Sequence, residues 1–372
     1  MGKPYEVERL HGRPIVEGET IRALGIGTDQ SRRKKFRGDA MFPMVIRVPD
    51  WVPLDQRPDA RANYYLYFAS HHGPSIHFAW ADRVDSPDWA IFNAGDGMAN
   101  DMGGQGDPVP GRGVFDLDLV DPLTHLDLAD GVFLTGHVSS PDVWVDHANQ
   151  RFIMVLHGKS HSGQKSFVAT SKTGLNFNLP EAGGEPGHGI RRFVFAHEIY
   201  LRLFEYDSNF YALSTHGHIL RPCDPEFLWD APEGHDPAEA LWESSEVSPI
   251  AADLEAAGLA GEGIENGLSL RHGSVRVLAN GKTLEIFYSR RWDMPERIVR
   301  STADLSVGDW QSWKTSFPPD EILRQEVDWE GDPERDSYVV HDSYVFEDVD
   351  GQVYLFYSCK EEDALAVAKL HG

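Results

Sequence analysis

Five segments of the chain share one pattern, in which an alternating apolar run, a polar turn and a second apolar run follow one another. Alternation of apolar and polar residues is typical of β-strands, and Asn-Gly or Asp-Gly between two such runs is the strongest short-range signal for a β-hairpin. The pattern therefore predicts a repeated hairpin unit. It occupies residues 44–70, 143–158, 201–217, 275–290 and 344–358.

A third apolar run follows most of these hairpins, as in SFVATSKTG and ALAVAKL, and segments such as DWAIF and DWQSW are typical of outer strands. Five units of three or four antiparallel strands predict an all-β, five-bladed β-propeller that forms a single domain. We expect an N-terminal extension over 1–35 that packs on the propeller, and the propeller itself over 36–372. The blades are predicted to start near residues 39, 137, 197, 271 and 341.

Helical periodicity is nearly absent, and only residues 236–261 predict a short helical excursion. Three long insertions, at about 93–136, 176–196 and 224–268, are rich in Gly, Asp and Pro. Insertions of this length in a compact domain are usually functional or disordered. In a propeller we expect them to crowd one face and to shape a pocket over the axis.

The net charge of the protein limits the classes of partner that we expect it to bind. The 372 residues include 34 Lys and Arg against 59 Asp and Glu, which gives a net charge of -25. A field of that sign repels phosphate backbones and anionic lipid, so we expect no nucleic-acid or membrane partner. A polyanionic substrate would need a local basic pocket, while a neutral or cationic substrate suits the overall field.

Cysteine content and hydropathy bear on the cellular compartment in which we expect the protein. Cys223 and Cys359 lie far apart in the sequence, which excludes a disulfide framework and a thiolate zinc site. No signal peptide and no run of 18 apolar residues is visible, so we expect a cytoplasmic protein. The sequence leaves the oligomeric state open.

The first residues of each innermost strand are expected to line one mouth of the central channel, where a wet pocket relaxes the demand for good strand formers. Four of the five predicted strand heads carry a histidine, and four carry a carboxylate. If the blade register is right, these side chains converge on one pocket. They are Asp39; His137, Ser139, Ser140 and Asp142; His197 and Glu198; Arg271 and His272; His341 and Asp342.

Four histidines at equivalent positions have two interpretations. Converging neutral imidazoles from His137, His197, His272 and His341 would hold a divalent metal, with zinc or manganese suiting a mixed histidine and carboxylate set better than calcium. Alternatively, they are polar groups that satisfy channel waters and strand-end amides. The sequence does not choose between these two interpretations.

The repeated units with acidic strand heads resemble the five-bladed propeller glycosidases, which include glycoside hydrolase families 43, 32 and 117. SSPDVWVDHANQRFIMVLHG is similar to the second-blade element of that group, and IYLRLFEYDSNFYAL to its third-blade element. RWDMPERIVRSTADLSVGDWQSWKTS is similar to the fourth blade of a glycosidase-like subfamily. The resemblance covers about residues 36–370.

The resemblance implies a trio of carboxylates. Asp39 would be the general base or nucleophile, Asp142 an orienting group and Glu198 the general acid. In the family the second-blade aspartate directly precedes proline, whereas here Ser140 has that place and Asp142 follows Pro141. This departure leaves room for a histidine acid or a metal-assisted variant.

Substrate contacts are predicted from the same segments. Ser140 and Asp342 would line the pocket, while Tyr200 and Trp292 would stack on a sugar ring. Arg271 would orient a carboxylate or bind an acidic sugar substituent, or it would form a salt bridge to Asp342 or Glu198.

Together these patterns predict an enzyme resembling the glycoside hydrolases, which cleaves an oligosaccharide by acid and base catalysis at the propeller axis, with inversion. Two alternatives stay open. The first is a metal-dependent lyase or isomerase that acts on an acidic sugar through the four histidines. The second is a propeller that binds carbohydrate without catalysis.

Overall fold

A computed structural model describes the chain over most of its length, and it confirms an all-β, five-bladed propeller that forms a single domain. The innermost strands contact one another in a closed ring, from the first blade through the fifth and back to the first. The described residues are 4–23, 39–71, 73–92, 113–117, 126–129, 132–134, 137–160, 163–177, 189–191, 193–258, 270–291, 293–332 and 338–372.

The first two blades are antiparallel sheets whose strands follow the chain from the axis outward. In blade 1 an extra strand, β7, also pairs with β5. Blade 1 contains β3 (Met41–Arg47), β4 (Tyr64–Ala69), β5 (Ser75–Ala81), β6 (Ala90–Ile91) and β7 (Phe115–Asp116). A separate pair, β8 (Leu126–Ala129) and β9 (Val132–Leu134), follows, and blade 2 contains β10 (Val138–Asp146), β11 (Arg151–Ser160), β12 (Gly163–Ser171) and β13 (Gly189–Ile190).

The third and fourth blades repeat the plan. Blade 3 contains β14 (Arg202–Tyr206), β15 (Asn209–Leu213), β16 (Ile219–Pro222) and β17 (Trp242–Ser244). Blade 4 contains β18 (Ser274–Val277), β19 (Thr283–Ser289), β20 (Ile298–Asp304) and β21 (Asp320–Leu323). Between them lies the helix α2 (Ala251–Ala256), within the predicted helical segment.

The chain start completes the fifth blade. This blade contains β22 (His341–Glu347), β23 (Val353–Cys359) and β24 (Ala364–His371), and its outer strand is β1 (Glu6–Arg9). A second short strand, β2 (Val16–Glu17), also pairs with β24 and leads into α1 (Gly18–Ala23). Because β1 and β24 are hydrogen-bonded, this part of the predicted N-terminal extension belongs to the fifth sheet and ties the two ends of the described chain together.

Short 3-10 turns occur at Leu54–Gln56 and Asp328–Glu330. Among the described helices, none is long and apolar enough to cross a membrane. The insertions predicted over 93–136 and 176–196 lie largely outside the described residues.

Apolar packing between neighbouring blades holds the propeller together. Each of five buried clusters joins two adjacent sheets, so that every blade is covered on both faces. Between blades 1 and 2, for example, Tyr65 and Tyr67 pack with Phe78 and Phe152. Burial on both faces explains why the middle strands are almost continuously apolar.

Arg202 occupies the axis below the strand heads and contacts all five blades. Its guanidinium donates to the carbonyl oxygens of Pro141 at 2.7 Å, Gly273 at 2.9 Å and Pro43 at 3.5 Å. It lies 5.5 Å from the ring centre of Tyr344 in blade 5 and 3.4 Å from the Asp142 carboxylate in blade 2. Buried charges are tolerated when they are paired and hydrogen-bonded in this way.

Removing the charge of Arg202 will destabilise the whole propeller. The variant Arg202→Met leaves Asp142 buried without its cation and three carbonyl groups without a donor, so we expect a loss of about 3–5 kcal/mol in unfolding free energy. The double variant R202M/D142N will recover part of this loss, because the amide that replaces the Asp142 carboxylate carries no charge. Denaturant unfolding measures both values.

The exposed Arg83→Met serves as control for that experiment and will leave the unfolding free energy unchanged. If R202M unfolds at the same denaturant concentration as wild type, then the axis does not depend on this arginine.

Replacing His77 with Gln will make the protein less sensitive to acid. His77 lies inside blade 1, and burial lowers its pKa to about 4. Below pH 6.5 the unfolded chain therefore binds a proton that the folded chain does not, and stability falls as pH falls towards 4. We expect wild type to lose about 2 kcal/mol from this group between pH 7 and pH 5.

The His77→Gln variant will be spared that loss, as chemical unfolding at several pH values will show. The exposed His371→Gln is the matched control. Equal acid sensitivity of H77Q and wild type would contradict the assignment.

Candidate active site

Each of the five strand heads has one equivalent residue near the start of its inner strand. Four of these residues have a positive φ, between 50° and 61°, and in blades 1, 2 and 5 a β-bulge shifts the register there. A bulge of this kind re-aims a side chain. The equivalent residues are Phe42, Ser140, Tyr200, His272 and Asp342.

Above these heads lies a cavity of about 570 Å³ to which all five blades contribute. Of the predicted site residues, it brings together Tyr200, His197, Arg271, His272 and Asp342. Its wall also contains residues that follow the second strand of a blade. The lining residues are Met41, Phe42, His71, Lys159, Gly163, Gln164, His197, Ile199, Tyr200, His216, Leu270, Arg271, His272, Arg291 and Asp342.

A histidine in one wall of the cavity holds the carboxylate of Glu198, which is not itself among the lining residues. Glu198 precedes β14, and its carboxylate is 2.5 Å from Nδ1 of His216, which lines the cavity after β15. The Glu198 backbone carbonyl accepts a hydrogen bond from Ser166 at 2.7 Å, which fixes the segment. Although burial opposes it, the hydrogen bond and charge of His216 lower the pKa of Glu198, so the carboxylate is ionised at neutral pH.

A second histidine and carboxylate pair enters from blades 1 and 5. Nδ1 of His71, just after β4, is 2.8 Å from Glu362 in the turn between β23 and β24. The hydrogen bond to Glu362 raises the pKa of His71, and the pKa of Glu362 is lowered against the effect of burial. This environment therefore favours the imidazolium form of His71, whose side chain is 38% exposed.

Arg271 joins this pair to blade 4. Its guanidinium is bidentate to Glu296, at 2.9 and 3.2 Å, and its Nη1 is 3.2 Å from Glu362. Arg271 thus contacts two carboxylates. The salt-bridge partners are Glu296 and Glu362, whereas the sequence predicts Asp342 or Glu198.

A buried hydrogen-bond chain lies next to the cavity. Ser140 Oγ contacts Nε2 of His272 and, at 2.9 Å, Nδ1 of His157. Nδ1 of His272 is 3.3 Å from Asp342, whose other oxygen is 2.9 Å from His341. Burial lowers the pKa of His272 to about 4, so this ring is neutral and can accept from Ser140 while donating to Asp342.

The connectivity of Ser140, His272 and Asp342 is that of a serine, histidine and aspartate triad. Ser140, however, is buried and is not among the residues that line the cavity. The ring of His272 is covered by Phe42 and Tyr200, each with its centre 3.8 Å away. We therefore infer that the hydrogen bonds among Ser140, His272 and Asp342 hold the strand heads in place and do not serve nucleophilic attack.

The four histidines predicted as metal ligands do not form a ligand set. In the part of the chain that the structure describes, no three His, Cys, Asp or Glu side chains are arranged to hold a metal ion. His272 and His341 are both bound to Asp342, His137 packs against His157 with ring centres 5.2 Å apart, and His197 lies in the cavity wall. Among the residues that the structure describes, these side chains do not fit zinc, manganese or calcium.

None of the three carboxylates implied by the resemblance is among the residues that line the cavity, although Glu198 contacts the lining residue His216. Asp142 is on the far side of the bulge, lines a second cavity of about 260 Å³ with Arg202, and accepts a hydrogen bond from the Leu203 amide at 2.8 Å. Burial raises the pKa of Asp142, against the effect of Arg202. Asp39 is buried three residues before Phe42 and interacts electrostatically with Arg22.

The position of each residue in its strand head explains why Asp39 and Asp142 do not line the cavity. The residues that precede proline at the heads of blades 1 and 2 are Phe42 and Ser140, so neither of these equivalent positions holds a carboxylate. Trp292, predicted to stack on a sugar, lies outside the described residues.

Comparison with known proteins agrees with the fold. No family model matches the chain. The uncharacterised protein R118 of Acanthamoeba polyphaga mimivirus is 26% identical over 345 residues, which are 88% of this chain and 83% of that protein.

Solved structures to which the chain is similar include glycoside hydrolases. An exo-β-1,3-galactanase from Phanerochaete chrysosporium, crystallised with β-1,3-galactotriose, has a TM-score of 0.50 and 11% identity over 90% of this chain and 60% of its own. An endo-arabinase from Bacteroides thetaiotaomicron has a TM-score of 0.49 and 13% identity over 90% and 94% of the two chains. At 11% identity the likeness to the galactanase is one of fold alone.

Proposed function

We propose that this protein is a hydrolase that cleaves a glycosidic bond in an oligosaccharide, with His71 as general acid and Glu198 as general base. The observation that carries the proposal is that two histidine and carboxylate pairs adjoin one cavity, one with a raised pKa for the His71 imidazole and the other with a lowered pKa for the Glu198 carboxylate. An imidazole that keeps its proton and a carboxylate that stays ionised are the two partners that acid and base catalysis requires.

The proposed reaction is a single displacement. His71 donates its proton to the oxygen of the leaving sugar as the bond from that oxygen to the anomeric carbon breaks. Glu198 accepts a proton from a water molecule whose oxygen attacks the anomeric carbon from the opposite face, and the product has inverted configuration. Glu362 stabilises the imidazolium of His71, and Arg271 holds Glu362 in position.

The placement of the two groups on different blades supports inversion. His71 belongs to blade 1 and Glu198 to blade 3, with blade 2 between them. An inverting enzyme needs a gap between its two groups that accommodates a water molecule, which groups on non-adjacent blades provide more readily than neighbours.

The cavity and the fold support a carbohydrate substrate. A volume of about 570 Å³ lies within the usual range of small-molecule sites. The galactanase that shares the fold is described with a bound galactotriose. Neither alternative from the sequence is favoured, since the metal-dependent reaction lacks a ligand set among the described residues and pure binding does not require a protonated histidine and an ionised carboxylate beside one cavity.

The Glu198→Gln variant will lose turnover by a factor of about 10² or more, because an amide cannot accept the proton of the attacking water. Steady-state kinetics on oligosaccharides that the wild type cleaves measure the loss. Added azide will restore part of the activity by replacing the water, with the azide adduct showing inverted configuration. Glu205→Gln, an exposed change in the same blade, is the control, and unchanged turnover in E198Q would remove Glu198 from the mechanism.

The amount of activity that the His71→Gln variant loses will depend on the leaving group of the substrate. For a natural sugar leaving group we expect a loss of about 10² or more, whereas a dinitrophenyl glycoside, which departs without protonation, will lose little. In wild type kcat/KM will fall as pH rises through the raised pKa of His71, and H71Q will lack this alkaline limb. The control is the exposed His147→Gln, and an equal loss for both leaving groups would contradict the role of His71 as acid.

A further inference from the structure

The cavity wall has the opposite electrostatic character to the chain as a whole. The net charge of the protein is -25, but the wall carries Lys159, Arg271 and Arg291 together with the His71 imidazolium. Asp342 is the one carboxylate among the lining residues that the structure describes, and its two oxygens face His272 and His341. This wall is the local basic pocket that an anionic substrate would need in so acidic a protein.

Two carboxylates that balance Arg271 and His71 are not among the lining residues. Glu296 is buried and binds Arg271, and Glu362 is shared between Arg271 and His71. Hydrogen bonds among the described residues use three of the five N–H donors of Arg271, which leaves two for a ligand. These two acids thus position the side chains of Arg271 and His71.

The balance of donors and acceptors discriminates between neutral and acidic sugars. Lys and Arg are donors only, whereas a sugar hydroxyl both donates and accepts. A wall rich in donors therefore matches a group that only accepts, such as a carboxylate or a sulfate, and such charge-assisted hydrogen bonds are about twice as strong as neutral ones. Arg271 and Arg291 approach from blade 4 and Lys159 from blade 2, so the oxyanion would be held between two blades.

We propose that the cavity binds a carbohydrate that carries an anionic oxygen substituent, with Lys159, Arg271 and Arg291 as its recognition groups. This proposal names the substrate class of the hydrolase proposed above. Only the presence of a glycosidic bond in the ligand rests on that function. The anion is a singly charged oxyanion, which a uronic acid supplies as a carboxylate and a sulfated sugar as a sulfate ester.

Calorimetric titration of three methyl glycosides tests this proposal without turnover. The probes are a galactoside, the corresponding galacturonoside and the galactoside 6-sulfate. At low salt we expect at least one of the two anionic probes to bind about tenfold more tightly than the neutral one. The preference will shrink at about 0.5 M salt, where exposed charges are screened. Whichever anionic probe binds more tightly identifies the carboxylate or the sulfate as the source.

Charge-removing variants link the preference to the named residues. K159Q/R291Q will lose the tenfold preference, whereas R291K, which keeps the charge, will retain most of it. The matched control K282Q/K314Q removes two exposed lysines and the same net charge, and it will bind as wild type does. Thermal unfolding of each variant verifies that it is folded.

Equal or tighter binding of the neutral galactoside by wild type, or an undiminished preference in folded K159Q/R291Q, would overturn the proposal, as would absence of binding for all three probes. The two proposals fail separately. Acidic sugars that bind but are never cleaved would remove the hydrolase and keep the anion site, whereas cleavage of neutral sugars without anion preference would do the reverse.

Discussion

The guanidinium of Arg202 is the point at which all five blades meet. Each sheet presents the head of its inner strand to the axis, and three of these heads direct a backbone carbonyl at the same side chain. A buried charge is stable there only because those carbonyls and Asp142 satisfy it together. The geometry around Arg202 therefore fixes the register of the strand heads, and with it the residues that turn upward into the cavity.

The cavity wall follows from two properties of antiparallel sheets. In each blade the start of the inner strand lies beside the end of the second strand, so that heads and the turns after the second strand share one edge. The heads supply Arg271 and Asp342, and the turns supply His71 and His216. The proposed acid, His71, lies in a turn, and the proposed base, Glu198, lies in a head and contacts the turn at His216, which is why no short motif contains both.

The fold could be predicted because each hairpin carries its own local signals, with alternating apolar residues on either side of turns such as Asn280-Gly281 and Asp350-Gly351. The site could be predicted only in part. The inner strands meet around one axis, but the bulges shift the pairing by a residue, and such a shift exchanges the face on which a side chain lies. Asp142 therefore points to Arg202, while Ser140, two residues earlier, points to His272. The pairing of His71 with Glu362 joins positions 291 residues apart, and no local pattern indicates it.

In the proposed reaction the strand heads and the neighbouring turns form one cup in which a sugar lies between His71 and Glu198. A crystal structure with a sulfur-linked oligosaccharide, which resists glycosidic cleavage, tests this placement. We expect the linking sulfur to lie about 3–4 Å from the His71 ring and the Glu198 carboxylate to face the anomeric carbon from the opposite side through one water molecule. A saccharide bound on the outer surface of a blade, or one in the cavity with both groups on the same face of the sugar ring, would contradict it.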